Sequence, residues 1–378
     1  MRVVVVGAGV MGLPAAAELS ARGHDVVVLD RFGVGNTIGS SSGATRIYRL
    51  AHPARDQVRL ARWNHTLWDR FEQDAGRPLR LRRGLLWRGG LVDDVEGALA
   101  AEGVDYERVD RRRQADLFPE LRWDDAFGVV WQPEAGAVLA DHALQAMNDR
   151  LARGSGEVVS GAHVLSVGQR SAGGVEVVAE VEGLRRSWVA DCAVVAAGPW
   201  TGRFLDDLDI EVGLTPVLEQ ISYVRGGADV PWQDRPCIVD APRDGSSFGF
   251  YAMPTPGIGY KAGIDTPLRA FSDADLDREP DLAREQETVD RVRHELPTFD
   301  ASIVKSEICA WTDSPDDRFV IDRLGDVVVA CGDSGQGFKF LPFFGEVLAN
   351  LVDGGPMDGS VAADIEALGL SRFVAAPD

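Results

Sequence analysis

The chain reads as an α/β protein, a Rossmann-like domain interleaved with an α+β domain built on an antiparallel sheet. Three features carry that reading. A Val3 to Val6 strand breaks into Gly7-Ala8-Gly9-Val10-Met11-Gly12, an Ala-rich helix and a second strand, Val26 to Leu29, closed by Asp30. The stretch from about 213 to 270 alternates as antiparallel strands. The last third then returns to strand-glycine turn-helix order at Val327 to Cys331 and Gly332 to Gly337.

The opening unit has a specific physical logic. Gly7 permits the tight turn off the strand, Gly9 permits close approach of a pyrophosphate, and Gly12 permits close helix–strand packing. Asp30 stands 18 positions after Gly12, where an acid can accept hydrogen bonds from the ribose of an adenosine dinucleotide and repel a 2′-phosphate. The unit by itself does not separate FAD from NAD.

After Asp30 comes a Gly/Ser-rich loop, Gly39 to Gly43, and then Thr45-Arg46-Ile47-Tyr48-Arg49. A long amphipathic helix is expected from about Asp56 to Gln73, with Leu60, Trp63, Leu67, Trp68 and Phe71 on its core face. Residues 80–137 mix short strands with two short helices. A helix from Asp141 to Ala152 leads into strands at Val158 to Val167, Val175 to Val181 and Trp188 to Ala196, the last ending in Ala197-Gly198-Pro199-Trp200. Strands follow at Val217 to Val224, Cys237 to Asp240, Ser247 to Met253 and Ile258 to Gly263, then an acidic helix from about Asp281 to Leu296. After the glycine turn that begins at Gly332, a helix runs to about Val352. Glycine turns at 198 and 332, far from the first unit, favour a flavin over a nicotinamide domain. The helix after Gly335 would then present its N-terminus to the flavin N1/C2=O region. The expected division is a cofactor domain of residues 1–79, 138–212 and 301–378 and a substrate domain of residues 80–137 and 213–300.

Composition narrows the function classes. With 378 residues and 45% apolar content, two domains sharing one cleft are expected. A net charge of -20 argues against nucleic acid and anionic lipid as partners. The basic run Arg108 and Arg111 to Arg113 is interleaved with acids and reads as a solvated face. No run of about 18 apolar residues suggests a membrane span. The first strand begins at residue 3, which leaves no room for a cleavable leader, and the widely spaced cysteines fit a reducing cytoplasm, the expected location. Cys192, Cys237, Cys309 and Cys331 form no CxxC pair, and the histidines form no metal-binding pattern, so no metal is expected. Of 39 basic residues only Lys261, Lys305 and Lys339 are lysines, which suggests that a compact or deprotonatable ammonium is wanted there.

These segments together resemble the FAD-dependent D-amino-acid oxidase superfamily, and within it the monomeric sarcosine oxidase and N-methyltryptophan oxidase group. The likeness spans nearly the whole chain through GAGVMG, SSSGATRIYR, VVAAGPW, YKAGID, CAWTDSPDDRFVID and GDSGQGFKF. It implies FAD as cofactor, attached through a thioether at Cys309. It implies a cofactor-contacting set of Gly7, Gly9, Gly12, Asp30, Arg31, Ser41 and Thr45, with Arg46 beside the flavin ring. Val164, Ala197, Gly198, Trp200, Gly335, Gly337, Phe338 and Lys339 complete it.

For the substrate, Arg49 and Lys339 match a pair that clamps a carboxylate. Lys261 matches the lysine that promotes reaction with O2 by stabilising developing superoxide. Tyr251 matches a pocket tyrosine if a one-residue gap is allowed. Asp265 stands where the group carries a histidine, and Trp311 where it carries a tyrosine. An acid there can pair with a substrate amine or take its proton, and equally can be a solvated turn residue. An indole there can stack on a ring.

The implied activity is oxidation of a small secondary or cyclic amino (imino) acid with a free carboxylate. Hydride passes from the carbon next to nitrogen to flavin N5, an imine forms, and O2 is reduced to H2O2. A dehydrogenase or desaturase of a specialised cyclic imino acid is the main alternative. An NAD-dependent dehydrogenase and a non-catalytic dinucleotide-binding subunit are the others. A monomer or small homo-oligomer is expected.

Overall fold

The computed structural model describes residues 1–125, 128–242, 249–273, 275–276 and 278–373. Its first sheet has six strands in the order Val320–Leu324, Val327–Cys331, Cys192–Val195, Arg2–Val6, Asp25–Asp30 and Glu157–Ser160, parallel except for the hairpin of the first two. Because side chains alternate along a strand, Val3 and Val5 pack with the helices Gly12–Ala21, Ala140–Arg153 and Leu341–Asp353, while Val4 and Val6 face the other way. That second face is covered by a three-stranded antiparallel sheet, His163–Gln169, Val175–Val181 and Leu184–Ala190.

Two expected strands are each divided. Val158 to Val167 splits at Gly161, which takes φ +78°, so Glu157–Ser160 joins the first sheet and His163–Gln169 the covering one. Trp188 to Ala196 splits at Asp191, whose amide donates to Arg2 O and whose carboxylate accepts from Arg2 N.

The second large sheet carries Thr215–Val224, Gly259–Asp265, Gly249–Thr255, Cys237–Ala241, Leu85–Gly89, Val129–Gln132 and Glu107–Val109 in that order. Of the expected strand Ser247 to Met253, Ser247 and Phe248 lie outside the described residues. Pairing is antiparallel except where Leu85–Gly89 lies parallel to Cys237–Ala241. Those two strands come from distant parts of the chain, so no hairpin constrains their direction. The strand Ile303–Asp313, which sequence reading leaves unassigned, pairs along the whole of Thr215–Val224. The acidic helix, Leu282–Glu295, is capped by Asp281, which accepts from Arg284 N, and packs on this sheet.

The long helix Arg55–Ala75 buries Leu60, Leu67, Trp68 and Phe71, with Trp63 partly buried; these aromatics belong to the core. The helix Leu341–Asp353, followed by a short helix, Ala362–Glu366, begins after a 3-10 turn over Phe338–Phe340, so Gly335 does not open it. Left-handed φ values at Ser334 (+42°) and Gly335 (+68°) interrupt helical geometry there and delay the start. No helix among the described residues is long and apolar enough to cross a membrane.

Candidate active site

The glycine turn is built as its spacing requires. A Cβ on Gly7, at φ +104°, would lie 2.3 Å from Ala196 O, and one on Gly12 would lie 2.0 Å from Gly7 O. Asp30 ties the turn down: Oδ2 accepts from Ala8 N at 2.8 Å, and Oδ1 accepts from Phe32 N at 2.8 Å and Gly33 N at 2.6 Å. A lone pair remains on Oδ2 for a further donor. Ser41 Oγ accepts from Val10 N at 2.9 Å.

These groups border a groove of about 120 Å³ lined by Gly7, Gly9, Asp30, Arg31, Ser41, Val164, Ala197, Gly198 and Trp200. Gly12 and Thr45 are not among the residues that line it. The Thr45 hydroxyl is 2.6 Å from that of Thr255.

Two polar groups lining the groove, Ser40 Oγ and Trp200 Nε1, are buried with no hydrogen-bond partner among the described residues. Buried donors are seldom left so, and they suit a polar ligand. A cradle closed to side chains, an acid at the strand end and orphaned donors fit an adenine dinucleotide such as FAD.

A second cavity, about 250 Å³, meets the groove at Val10, Ser40 and Asp333. It gathers Arg46, Arg49, Tyr251, Lys261, Asp265, Cys309, Trp311, Gly335, Gly337, Phe338 and Lys339, which four separate segments of chain supply. The sheet register explains how they meet. Ile221, Gly263 and Tyr251 stand opposite one another across three strands, and Cys309 and Trp311 project from the next strand over. The Tyr251 ring lies over Gly263, where a Cβ would be 2.4 Å from Cζ.

Cations dominate this cavity. Lys339 is buried, and its Nζ donates to Gln336 O at 2.9 Å; burial, then repulsion from Arg49, holds its pKa far below the usual lysine value. Arg49 donates to Ala51 O and lies 4.9 Å over the Trp87 ring; burial lowers its pKa to about 10, with Asp265 opposing. Neither makes an ion pair among the described residues. Lys339 is buried and Arg49 half-buried, charges so placed without an ion-pair partner are costly, and a ligand carboxylate would compensate both.

Lys261 is 2% exposed and donates from Nζ to Thr45 O at 2.8 Å. Burial first and Arg46 second bring its pKa to about 7. Arg46 donates to the carbonyls of Thr45, Ser40 and Ser42 and faces the Phe338 ring at 5.7 Å.

Cys309 is a free, partly buried thiol. Burial raises its pKa, and Arg46 and Lys261 work against that. Tyr251 is held well above its ordinary pKa by burial, with Glu219, Cys309 and Asp265 adding to it. Asp265 opens to the cavity, yet the protein around it raises its carboxyl pKa, with Arg49 pulling the other way. Trp311 donates from Nε1 to Asp313 Oδ1 at 2.7 Å.

Sequence reading did not single out Asp333 or Ser40. Asp333 accepts from Thr312 N at 3.1 Å, and burial brings its pKa up to about 6. Both residues lie inside glycine-rich segments that were legible as turns, but only the meeting of the two cavities shows that they line it. Among the described residues no His/Cys/Asp/Glu group could hold a metal ion.

The family model "DAO: FAD dependent oxidoreductase" matches residues 2–351. A peroxisomal sarcosine oxidase of Mus musculus is 28% identical, with 98% of this chain and 95% of that protein covered. A monomeric sarcosine oxidase of Bacillus sp. (strain NS-129) is 26% identical, with 98% and 96% covered. Among solved structures, a mutant of NikD, "an unusual amino acid oxidase essential for nikkomycin biosynthesis", superposes with a TM-score of 0.83 at 24% identity, over 95% of this chain and 96% of that one.

Proposed function

The chain belongs to the FAD-dependent oxidoreductase family, and on that premise we propose that it oxidises the carbon next to nitrogen in a small secondary or cyclic amino (imino) acid, with O2 as the final acceptor. The observation that carries this reading is the meeting of Arg49, Lys339 and Lys261 with Cys309 in one cavity that opens onto the dinucleotide groove. The relatives named as sarcosine oxidases act on a substrate of this class by name.

When bound, FAD supplies a two-electron acceptor. Gly7, Gly9, Asp30, Ser41 and Trp200 would hold its dinucleotide part, and Arg46, Phe338 and Cys309 its ring. The protein's own residues do the rest. Arg49 and Lys339 take the substrate carboxylate and so fix which C–H faces the cofactor. Lys339 and Arg49 also raise the local positive potential, which lowers the pKa of a bound substrate ammonium and favours the neutral amine. Asp265 faces the same cavity and can accept the ammonium proton at a carboxylate oxygen. Tyr251 and Trp311 border the substrate and exclude water, and an indole wall suits a ring better than the methyl group of N-methylglycine. Lys261, as its ammonium, favours negative charge developing on oxygen.

Oxygen consumption and peroxide yield with N-methylglycine, proline and piperidine-2-carboxylate test this. We expect a cyclic member of the panel to be turned over fastest, with about one peroxide per amine oxidised. Turnover only with an artificial acceptor would instead establish the dehydrogenase alternative. We propose further that Cys309 carries the cofactor covalently. Acid-precipitated wild-type protein should retain the yellow chromophore and Cys309→Ala should release it; a colourless wild-type pellet would refute the attachment.

A further inference from the structure

Lys339 is held from behind by the long helix. Asn64 Nδ2 and Trp68 Nε1 both donate to Lys339 O, each at 2.7 Å. Asn64 Oδ1 accepts from Phe343 N at 3.2 Å. All of this is dry: Asn64 is 1% exposed and Trp68 0%.

The geometry has a simple meaning in backbone terms. In a continuous helix the Phe343 N–H would donate to the Lys339 carbonyl four residues back. Here the Asn64 amide is inserted between the two, its N–H₂ on the carbonyl and its oxygen on the N–H. The helix Leu341–Asp353 has no side-chain cap of its own, and its Pro342 has no N–H to place. Asn64 therefore caps that helix from a different helix, and Trp68 supplies the second bond to the same carbonyl.

We infer that Asn64 and Trp68 are positioning residues for the carboxylate clamp: by fixing the Lys339 backbone they aim its ammonium into the substrate cavity. The inference rests on the reading of Lys339 as one half of that clamp. Lys339 needs external support because, among the described residues, its ammonium donates one hydrogen bond, to the Gln336 carbonyl in the same turn, and otherwise lies 5.6 Å over the adjacent Phe340 ring. Just before that turn Ser334 and Gly335 take left-handed φ, so the short 3-10 turn that carries Lys339 is not the continuation of a preceding helix. Trp68 is itself locked, with Phe71 on one side, the Tyr48 ring edge-on and the Arg80 guanidinium 5.6 Å over its ring.

The test uses the flavin-containing enzyme and methoxyacetate, which has the shape of N-methylglycine but no oxidisable amine, with methoxyacetamide as its uncharged counterpart. Binding is read from the perturbation of flavin absorbance. We expect Trp68→Phe, which keeps an aromatic ring and loses one donor, and Asn64→Leu, which loses the splice, each to weaken methoxyacetate by about tenfold and leave methoxyacetamide unchanged.

In the Lys339→Met background neither change should weaken methoxyacetate further, because both act through Lys339. Unchanged methoxyacetate affinity in both variants, equal loss for the acid and the amide, or losses that add to that of Lys339→Met would each overturn the inference while leaving the clamp intact. If Lys339→Met alone leaves methoxyacetate affinity unchanged, the clamp reading falls and takes this inference with it.

Discussion

At the residue scale the lysines carry the clearest signal. In a chain with 39 basic residues and only three lysines, Lys261 and Lys339 line one cavity, while Lys305 pairs with Glu307 at the surface. Composition makes those two positions conspicuous, and their segments make the resemblance specific. Their environment was not legible: that Lys261 is buried against the Thr45 carbonyl follows from packing between segments far apart in the chain. A prediction follows from its pKa of about 7. If the charged ammonium promotes reaction with oxygen, reoxidation of the substrate-reduced enzyme should slow as pH rises through about 7, since deprotonation removes the charge. Lys261→Met should be slow at all pH values, by about 10²-fold or more relative to wild type at pH 6. Stopped-flow mixing with O2 across pH 6 to about 9 measures both. A wild-type rate that rises over that range would assign the effect to another group.

At the element scale, the opening strand–turn–helix–strand unit was readable because each residue type there has one job, and the contacts at Gly7 and Gly12 bear that out. The strand Ile303–Asp313 was not readable. One face carries Cys309 and Trp311 into a polar cavity, and the other buries Ile308, Ala310 and Thr312. A strand bordering such a site lacks the apolar/polar alternation that marks a half-exposed strand. The divided strands were missed for a related reason: Gly161 and Asp191 are small breaks that matter only because they send neighbouring residues to different sheets. Register also makes Gly263 a testable position, since the Tyr251 ring occupies the space a methyl group would need. Gly263→Ala should destabilise by about 1–3 kcal/mol through overpacking and should perturb substrate binding by displacing that ring. Thermal unfolding and KM together check it. The companion Tyr251→Ala should restore most of the lost stability in the double variant, and a stability cost that Tyr251→Ala fails to relieve would mean the ring is not the obstacle.

At the scale of the whole molecule, neither large sheet makes the site alone. The first sheet ends in the glycine turns that line the groove proposed for the dinucleotide, and the second supplies Tyr251, Lys261, Asp265, Cys309 and Trp311. Lys339 comes from the turn leading back into the first unit, and Arg46 and Arg49 come from the segment just after it. Interleaving of the two large sheets along the chain is therefore what brings the groove and the second cavity together. Glycine turns recurring late in the sequence made the interleaving legible. The pairing of Ile303–Asp313 with Thr215–Val224, which sets Cys309 in the cavity wall, required the structure.

The central claim is that a flavin in this cavity oxidises an amine held by its carboxylate. Anaerobic mixing of the flavin-containing enzyme with secondary amino acids, and with the same amines lacking the carboxylate, tests it most directly. The account predicts rapid loss of oxidised-flavin absorbance with at least one amino acid, saturating with its concentration, with little bleaching by the decarboxylated amine and weakened saturation in Lys339→Met. Equal bleaching by amines without a carboxylate, or unchanged saturation in Lys339→Met and Arg49→Ala, would contradict it.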